Sequence, residues 1–347
     1  MAITLHDVAA RAGVSAITVS RALNNTGYVS PETRERIHAA VAELNYVPNA
    51  VASSLRSNRT QLFAVLLTDI TNPFWTTVAR GVEDAAMEKG YGVILCNTDE
   101  DRAKEARYLD LLLRRRIDGL VVAPTTESTE ILQNLRRRHV PFVLVDRLVS
   151  GIVADSVRGD SRGGAYQLTR HLLSTGYRRI GMLTGPLTVS TAEERVAGYL
   201  DALADEGIAC DPDLIFYGHY RETWGYEVTQ ELMSRNSHRS TPDAIFAANN
   251  FIALGVLEAL SAMKLRVPED VAVVCFDDGP QLTAASPGSG PFLTTVVQPA
   301  SDMGRIAIQL LLDRLANPDR EPQDIVLPTE LIIRASCGCN GRMIDER

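Results

Sequence analysis

Five cysteines in 347 residues leave little room for a disulfide framework. They stand at Cys96, Cys210, Cys275, Cys337 and Cys339 with no paired spacing, so a reducing cytoplasm fits. Cys96 and Cys275 fall in apolar runs that read as buried strands, where a free thiol behaves as a small hydrophobe. Cys337 and Cys339 are ligand-type residues, but no histidine or second cysteine pair is near them in sequence; the pair is read as inert, and no metal or cofactor is expected. No apolar run approaches the roughly 20 residues of a membrane span. The opening MAITLHDVAA lacks the basic start, apolar core and cleavage pattern of a secretion signal. Lysine is absent from residues 1–60, where six arginines (11, 21, 34, 36, 56, 59) face four acids (Asp7, Glu32, Glu35, Glu43), a charge of +2. The chain's −8 therefore leaves −10 for the remainder. A small reader of polyanions attached to a large acidic body has that asymmetry.

What is present begins with three short helices. Thr4 can cap a helix over residues 5–12, with Asp7 near the positive end of its dipole, and Gly13 ends it. Ser15 caps a second helix over residues 16–23, closed by Asn24 and Asn25. Ser30 and Pro31 open a third that runs to about Asn45. A helix, a short glycine-containing turn and a second helix within twenty residues form a helix-turn-helix. Val8, Ala12, Val14, Val19, Ala22, Ile37, Val41 and Leu44 supply its core. The second helix of such a motif lies in the major groove. Ala16 and Ile17 are then placed for apolar contact with a thymine methyl, and Arg21 for bidentate pairing with guanine. Thr18, Ser20 and Asn24 are placed for phosphate. A three-helix bundle for protein contact is the competing reading; the caps, the tight turn and the outward Arg21 favour double-stranded DNA.

Residues 46–62, YVPNAVASSLRSNRTQL, join this unit to the rest. The stretch is rich in small residues and carries one large apolar side chain, Leu55, beside Arg56. A plain linker needs neither. TLHDVAARAGVSAITVSRALN and VSPETRERIHAAVAELNYVPNAVASSLRS resemble, without gaps, the N-terminal region of the LacI-type (lactose/purine/ribose repressor) family of bacterial transcription regulators. The resemblance implies a DNA-binding set of Thr4, Ser15, Ala16, Ile17, Thr18, Ser20, Arg21, Asn24, Leu55 and Arg56. It also makes the joint a hinge helix, paired with its dimer mate in the minor groove, with Leu55 as the wedge and Arg56 beside it. The segment is shorter than the roughly 12–15 residues an isolated helix needs, so it is expected to order only on DNA.

From residue 61 apolar runs alternate with amphipathic helices. Strands are predicted at 62–68, 92–98, 118–124 and 141–147, then at 179–185, 214–217, 244–249 and 271–278, with helices between them. Continuous apolar strands separated by helices imply parallel sheets covered on both faces, and two such series imply two doubly wound lobes. Ligands in such sheets bind beyond the carboxyl ends of the strands. Asn72, Phe74, Trp75, Asp146, Arg147, Arg195, Tyr220, Asn249, Asp277 and Gln298 all follow strands. Singly, each could be a cap or a core residue. Together, aromatic faces, planar guanidiniums and carboxylates suit a sugar's C–H face and hydroxyl pairs.

The body resembles the same family and the ribose- and galactose-type periplasmic binding proteins. That likeness places these ten residues on effector-contact positions. Purine-sensing members have arginine where Val189 stands; ribose-binding members have a pair like Asp146-Arg147, and the phrase LCNT at 95–98 resembles the ribose branch. Asn250 departs from the family, where aspartate is usual. The resulting organisation is an all-α helix-turn-helix domain at 1–47, a hinge helix at 48–60 and a two-lobed α/β effector-binding and dimerisation core at 61–335. Its N-lobe takes about 61–160 and 292–322, its C-lobe about 161–291 and 323–335, and a tail follows at 336–347. The tail has no heptads, so a homodimer reading a palindromic operator is the minimal unit. A nucleobase effector is the main alternative. Transport is disfavoured by the fused DNA-reading unit. No nucleophile–base pair, metal set or phosphate loop supports an enzyme, and Ser286-Pro-Gly-Ser-Gly-Pro291 is neither a Walker loop nor a dinucleotide fingerprint.

Overall fold

A computed structural model describes residues 3–47, 59–125, 129–234, 241–279 and 292–339. The chain divides into two compact units, residues 1–60 and 61–347. In the first, α1 (Leu5–Ala12), α2 (Ala16–Leu23) and α3 (Pro31–Glu43) surround a core of Val8, Ala12, Val19, Ala22, Ile37 and neighbours, with Val14, Val41 and Leu44 packed at its edge. The caps are those the sequence implies. The Thr4 N–H donates to the Asp7 carboxylate at 2.8 Å, and the Asp7 N–H returns a bond to Thr4 Oγ1 at 3.4 Å. The Thr18 N–H donates to Ser15 Oγ at 3.2 Å, and Gly13 ends α1 in the left-handed region.

The second unit holds two six-stranded sheets wound alike. The first runs β11-β5-β4-β3-β1-β2, from β1 (Leu62–Leu67), β2 (Gly92–Asn97), β3 (Gly119–Val122), β4 (Phe142–Val145), β5 (Asp155–Gly159) and β11 (Asp324–Leu327). The second runs β12-β10-β9-β8-β6-β7, from β6 (Ile180–Thr184), β7 (Ile215–Tyr217), β8 (Ala244–Ala247), β9 (Ala272–Phe276), β10 (Thr294–Val297) and β12 (Glu330–Ile332). All pairs are parallel except β10 with β12. Three helix pairs cover the sheets: α4 (Pro73–Glu88) with α11 (Ala300–Ala316), α7 (Ser161–Ser174) with α8 (Ser190–Asp205), and α9 (Glu222–Met233) with α10 (Asn250–Ala262). The outer face of the first sheet is covered by α5 (Arg102–Arg114) and α6 (Thr129–Arg137). Phe63 to Leu67 are wholly buried, the Phe, Val and Leu side chains contributing about 1.5–3 kcal/mol each. The α7–α8 pair approaches backbone to backbone: a Cβ at Gly198 would stand 2.1 Å from the Arg162 carbonyl oxygen.

Three boundaries move relative to the sequence reading. The strand at 294–297 belongs to the second sheet and the strand at 324–327 to the first. The chain therefore recrosses after Gln298 and again between β11 and β12, rather than at 292 and 323. Parallel registry decides this, with Thr295 opposite Cys275 and Val326 opposite Arg158. The expected tail also begins inside the second lobe. Ser336 and Cys337 of a 3-10 turn, Ala335–Cys337, are buried there, the Ser336 hydroxyl donating to the Val273 carbonyl at 2.6 Å. Most of the hinge, with Leu55 and Arg56, and the 286–291 loop lie outside the described residues.

Candidate nucleic-acid interface and ligand cavity

On α2 the exposed side chains are those a groove-reading helix needs. Ile17 is 66% exposed, Arg21 is exposed, and Ala16 sits half-buried at the core edge. Thr4, Ser15 and Asn24 are exposed as well, and Thr18 is half-buried with its hydroxyl beside that of Ser15 at 2.9 Å. Ser20 is the least exposed of the described set. It lies buried beside Val19 and Ala22, and Asn24 Nδ2 donates to its carbonyl at 2.8 Å. The helical period turns Ser20 inward, where its hydroxyl also accepts from Asn24 Nδ2 at 3.3 Å.

In the second unit one cavity of about 490 Å³ opens between the two sheets. Nine of the ten expected residues line it: Asn72, Phe74, Trp75, Asp146, Arg147, Arg195, Tyr220, Asn249 and Asp277. Each follows a strand of one lobe or the other, as the doubly wound topology requires. Gln298 does not line it. Its Nε2 donates to Asp277 Oδ1 at 2.7 Å, so it holds the carboxylate from behind. Asp99, Glu100, His219, Arg221 and Phe251 also line the cavity and were not anticipated. Asp99 and Glu100 stand directly after β2, where the strand-end rule could have found them.

The lining is paired charge held in place by aromatic faces. Arg147 is 5% exposed and makes a fork of two 2.8 Å bonds to the Glu100 carboxylate. Its guanidinium lies 5.8 Å from the rings of both Trp75 and Tyr220. Arg195 stacks 3.8 Å over Phe276, donates to the Ala248 carbonyl at 2.6 Å and stands 4.0 Å from Asp277. Asp99, Glu100, Asp146 and Asp277 all have φ between 54° and 71°, a conformation that disfavours L side chains. Such strain persists where the surrounding fold fixes it, and it gathers at binding sites. Burial pushes the Asp146 carboxyl up to about 6, against the opposing pull of Arg195 and Arg147. Burial likewise raises Asp277, opposed by Arg195 and the Gln298 hydrogen bond. Asp146 Oδ1, Arg147 Nε, Arg195 Nε and the Tyr220 hydroxyl are buried with no hydrogen-bond partner among the described residues.

The lobes touch through Asn72 and Asn250, which exchange two amide hydrogen bonds of 2.9 Å each. Asn72 also caps α4 by accepting from the Phe74 N–H, and Asn249 caps α10 by accepting from the Ile252 N–H. Both residues are therefore caps and cavity walls at once. The Leu148 N–H donates to Ser190 Oγ at 2.9 Å, and Arg158 reaches Glu194 at 2.9 Å, two further bridges between lobes.

A helix-turn-helix unit joined to a two-lobed body with a polar interlobe cavity is the architecture of a ligand-responsive DNA-binding regulator. Residues 4–49 match the family model for bacterial regulatory proteins of the lacI family, and residues 169–337 match the periplasmic binding protein-like domain. The ribose operon repressor of Escherichia coli strain K12 is 36% identical, covering 96% of this chain and 99% of that protein. The HTH-type transcriptional repressor PurR of Photobacterium profundum is 34% identical, covering 96% and 98%. A lac repressor dimer bound to operator and the anti-inducer ONPF superposes with a TM-score of 0.84 at 28% identity, covering 97% and 99%. The chain belongs to the lacI family of bacterial regulatory proteins, as a transcriptional repressor. Among the described residues no helix is long and apolar enough to cross a membrane.

Proposed function

We propose that this repressor is a cytoplasmic homodimer, without catalytic activity, whose hold on a palindromic operator is set by a monosaccharide of ribose type bound in the interlobe cavity. The observation that carries the sugar is the set of buried polar atoms on Asp146, Arg147, Arg195 and Tyr220 that have no hydrogen-bond partner among the described residues, interleaved with aromatic rings. Adjacent hydroxyls both donate and accept, which is what a carboxylate oxygen, two guanidinium N–H groups and a phenol need. Val189 and the Asp146-Arg147 pair favour the ribose-like over the purine-like branch, and the 36% identity to a ribose operon repressor agrees with that choice. The equally extensive likeness to PurR keeps a nucleobase as the second reading. A thermal-shift screen of pentoses, hexoses and nucleobases, followed by operator binding with each hit, separates the two. A stabilising sugar that also shifts operator affinity is expected. A nucleobase as the sole hit overturns the sugar assignment.

Asp146 gives this binding a pH signature. Its folded value of about 6 lies above the ordinary 3.8. Between those values the folded protein holds a proton the unfolded chain has lost, so this group's contribution to stability falls as pH rises from about 4 to about 6. A ligand hydroxyl donating to Asp146 is held more strongly by the ionised carboxylate than by the protonated carboxyl. Sugar affinity should therefore weaken below about pH 6, by up to about tenfold per pH unit. Calorimetric titrations from pH 5 to 8 should show the slope in wild type and its loss in Asp146→Asn.

For the DNA side, Ala16, Ile17 and Arg21 read base edges, while Thr4, Ser15, Thr18 and Asn24 position the helix on phosphate. Leu55 wedges the minor groove with Arg56 beside it. Leu55→Ala should weaken operator binding by about tenfold or more, since unstacking wedges involve a few kcal/mol, and should leave random DNA nearly unaffected at the same salt. Equal losses on both DNAs would make Leu55 a structural residue only.

A further inference from the structure

The sequence places Cys337-Gly-Cys339 far from any histidine, yet the fold brings one to it. His171, on α7, lies 166 residues upstream of Cys337, and its Nε2 stands 3.2 Å from Cys337 Sγ and 3.6 Å from Cys339 Sγ. The three ligand atoms all lie within 4.8 Å of one another. The chain turns there at Gly338, whose φ of 74° lets Cys339 come back beside Cys337. His171 and Cys337 are buried, Cys339 is partly exposed, and all three belong to the second lobe, away from the cavity lining. Both cysteines are free thiols.

We propose that His171, Cys337 and Cys339 form a binding site for one thiophilic d10 metal ion, zinc being the reference case. With Zn–S of about 2.3 Å and Zn–N of about 2.0–2.1 Å, tetrahedral coordination puts sulfur and nitrogen ligands about 3.5 Å apart. The distances of 3.2 and 3.6 Å straddle that edge, so an ion enters with small side-chain shifts. Two thiolates and a neutral imidazole balance a divalent charge, and binding passes two thiol protons to solvent. The partial exposure of Cys339 leaves the fourth position to a water molecule. Thr294 Oγ1 lies 3.2 Å from Cys337 Sγ, within reach to donate to that sulfur as an outer-shell partner does. The ion would fasten the segment that follows β12 to α7, closing the second lobe where the chain has returned from its last crossing.

Cobalt(II) titration of the full-length, reduced, chelator-dialysed protein tests this. One cobalt per chain is expected, with thiolate-to-cobalt charge-transfer absorption that zinc removes by displacement. Cys339→Ser, at a partly exposed position, should lose more affinity than the roughly 10–100-fold that removal of an outer-shell partner causes. His171→Gln should do the same, and Cys210→Ser, an exposed thiol elsewhere, should bind as wild type. Zinc should raise the melting temperature of wild type and of Cys210→Ser but not of Cys339→Ser. The metal-free melting point of Cys339→Ser, matched to metal-free wild type, shows that its fold is intact. Absence of charge-transfer absorption in reduced wild type, or a signal that survives Cys339→Ser, overturns the site.

Discussion

Arg195→Ala should abolish the effect of the ligand on operator binding while leaving ligand-free operator affinity unchanged. The guanidinium is 3% exposed, stacked on Phe276, bonded to the Ala248 carbonyl and 4.0 Å from Asp277. Its charge also pulls down the pKa of both Asp146 and Asp277 against the effect of burial, favouring their ionised forms. Truncation removes a charge-assisted donor from the cavity wall and leaves two buried carboxylates with less opposing charge. A loss of about 2–5 kcal/mol in ligand binding follows, or about 30-fold to several thousand-fold. Binding and operator affinity are linked, each altering the other by the same factor, so a ligand that no longer binds cannot shift the operator equilibrium. Arg195→Lys keeps the charge without the planar fork and should fall between. Titration of operator DNA with and without the screened sugar reads the result; a normal ligand response in Arg195→Ala would remove the cavity assignment altogether.

Much of this was legible in the chain because strand ends and ligand chemistry coincide in doubly wound sheets. Phe74, Asp146, Arg195 and Asp277 could be placed in one cavity from their position after apolar runs alone, and the cavity does contain them. What failed to show was whatever depends on a distant partner. β5 reads Asp-Ser-Val-Arg-Gly, with one large apolar residue, and does not look like a strand. It is buried because Arg314 and Arg320 both pair with Asp155, at 2.9 and 2.8 Å, and Asp324 accepts from Ser156 at 2.6 Å. The two late crossings were misplaced for the same reason: β10 and β11 are short, and only their registers with β9 and β5 say which sheet takes which. His171 and the C-terminal cysteine pair lie 166 residues apart, beyond the reach of any spacing argument. Asn250 could be noted as unusual, but not as half of a reciprocal amide bridge with Asn72. A carboxylate there would set an oxygen against Asn72 Oδ1, which already accepts from the Phe74 N–H, so the neutral amide suits this partner.

Glu100→Ala should both destabilise the second unit and weaken ligand binding, and a compensating change should separate the two effects. Arg147 is buried, and its two terminal nitrogens are held by Glu100 alone among the described carboxylates within 3 Å. Burial, the largest single influence, would lower the guanidinium's pKa, but the charge and hydrogen bonds of Glu100 together with the Asp146 charge outweigh it and the net direction is up. Stranding a buried guanidinium is strongly unfavourable, but Glu100 is itself 34% exposed, so the expected loss is about 1–3 kcal/mol and not the 3–5 of a fully buried pair. For a unit of this size that is a fall in melting temperature of roughly 2–10 °C. Replacing both partners, as in Glu100→Ala with Arg147→Met, removes the unpaired charge and should recover most of the melting temperature, because apolar replacement of an ion pair is often neutral or better. It should not recover sugar binding, because Arg147 lies 5.8 Å from the rings of both Trp75 and Tyr220 and its Nε, 3.8 Å from Asp146 Oδ2, has no hydrogen-bond partner among the described residues and can donate to a ligand hydroxyl. If the double variant binds the sugar as wild type does, Arg147 is scaffolding and the ligand is held by Asp146 and Arg195 without it. If Glu100→Ala leaves the melting temperature where it was, the fork is not what keeps Arg147 in the wall.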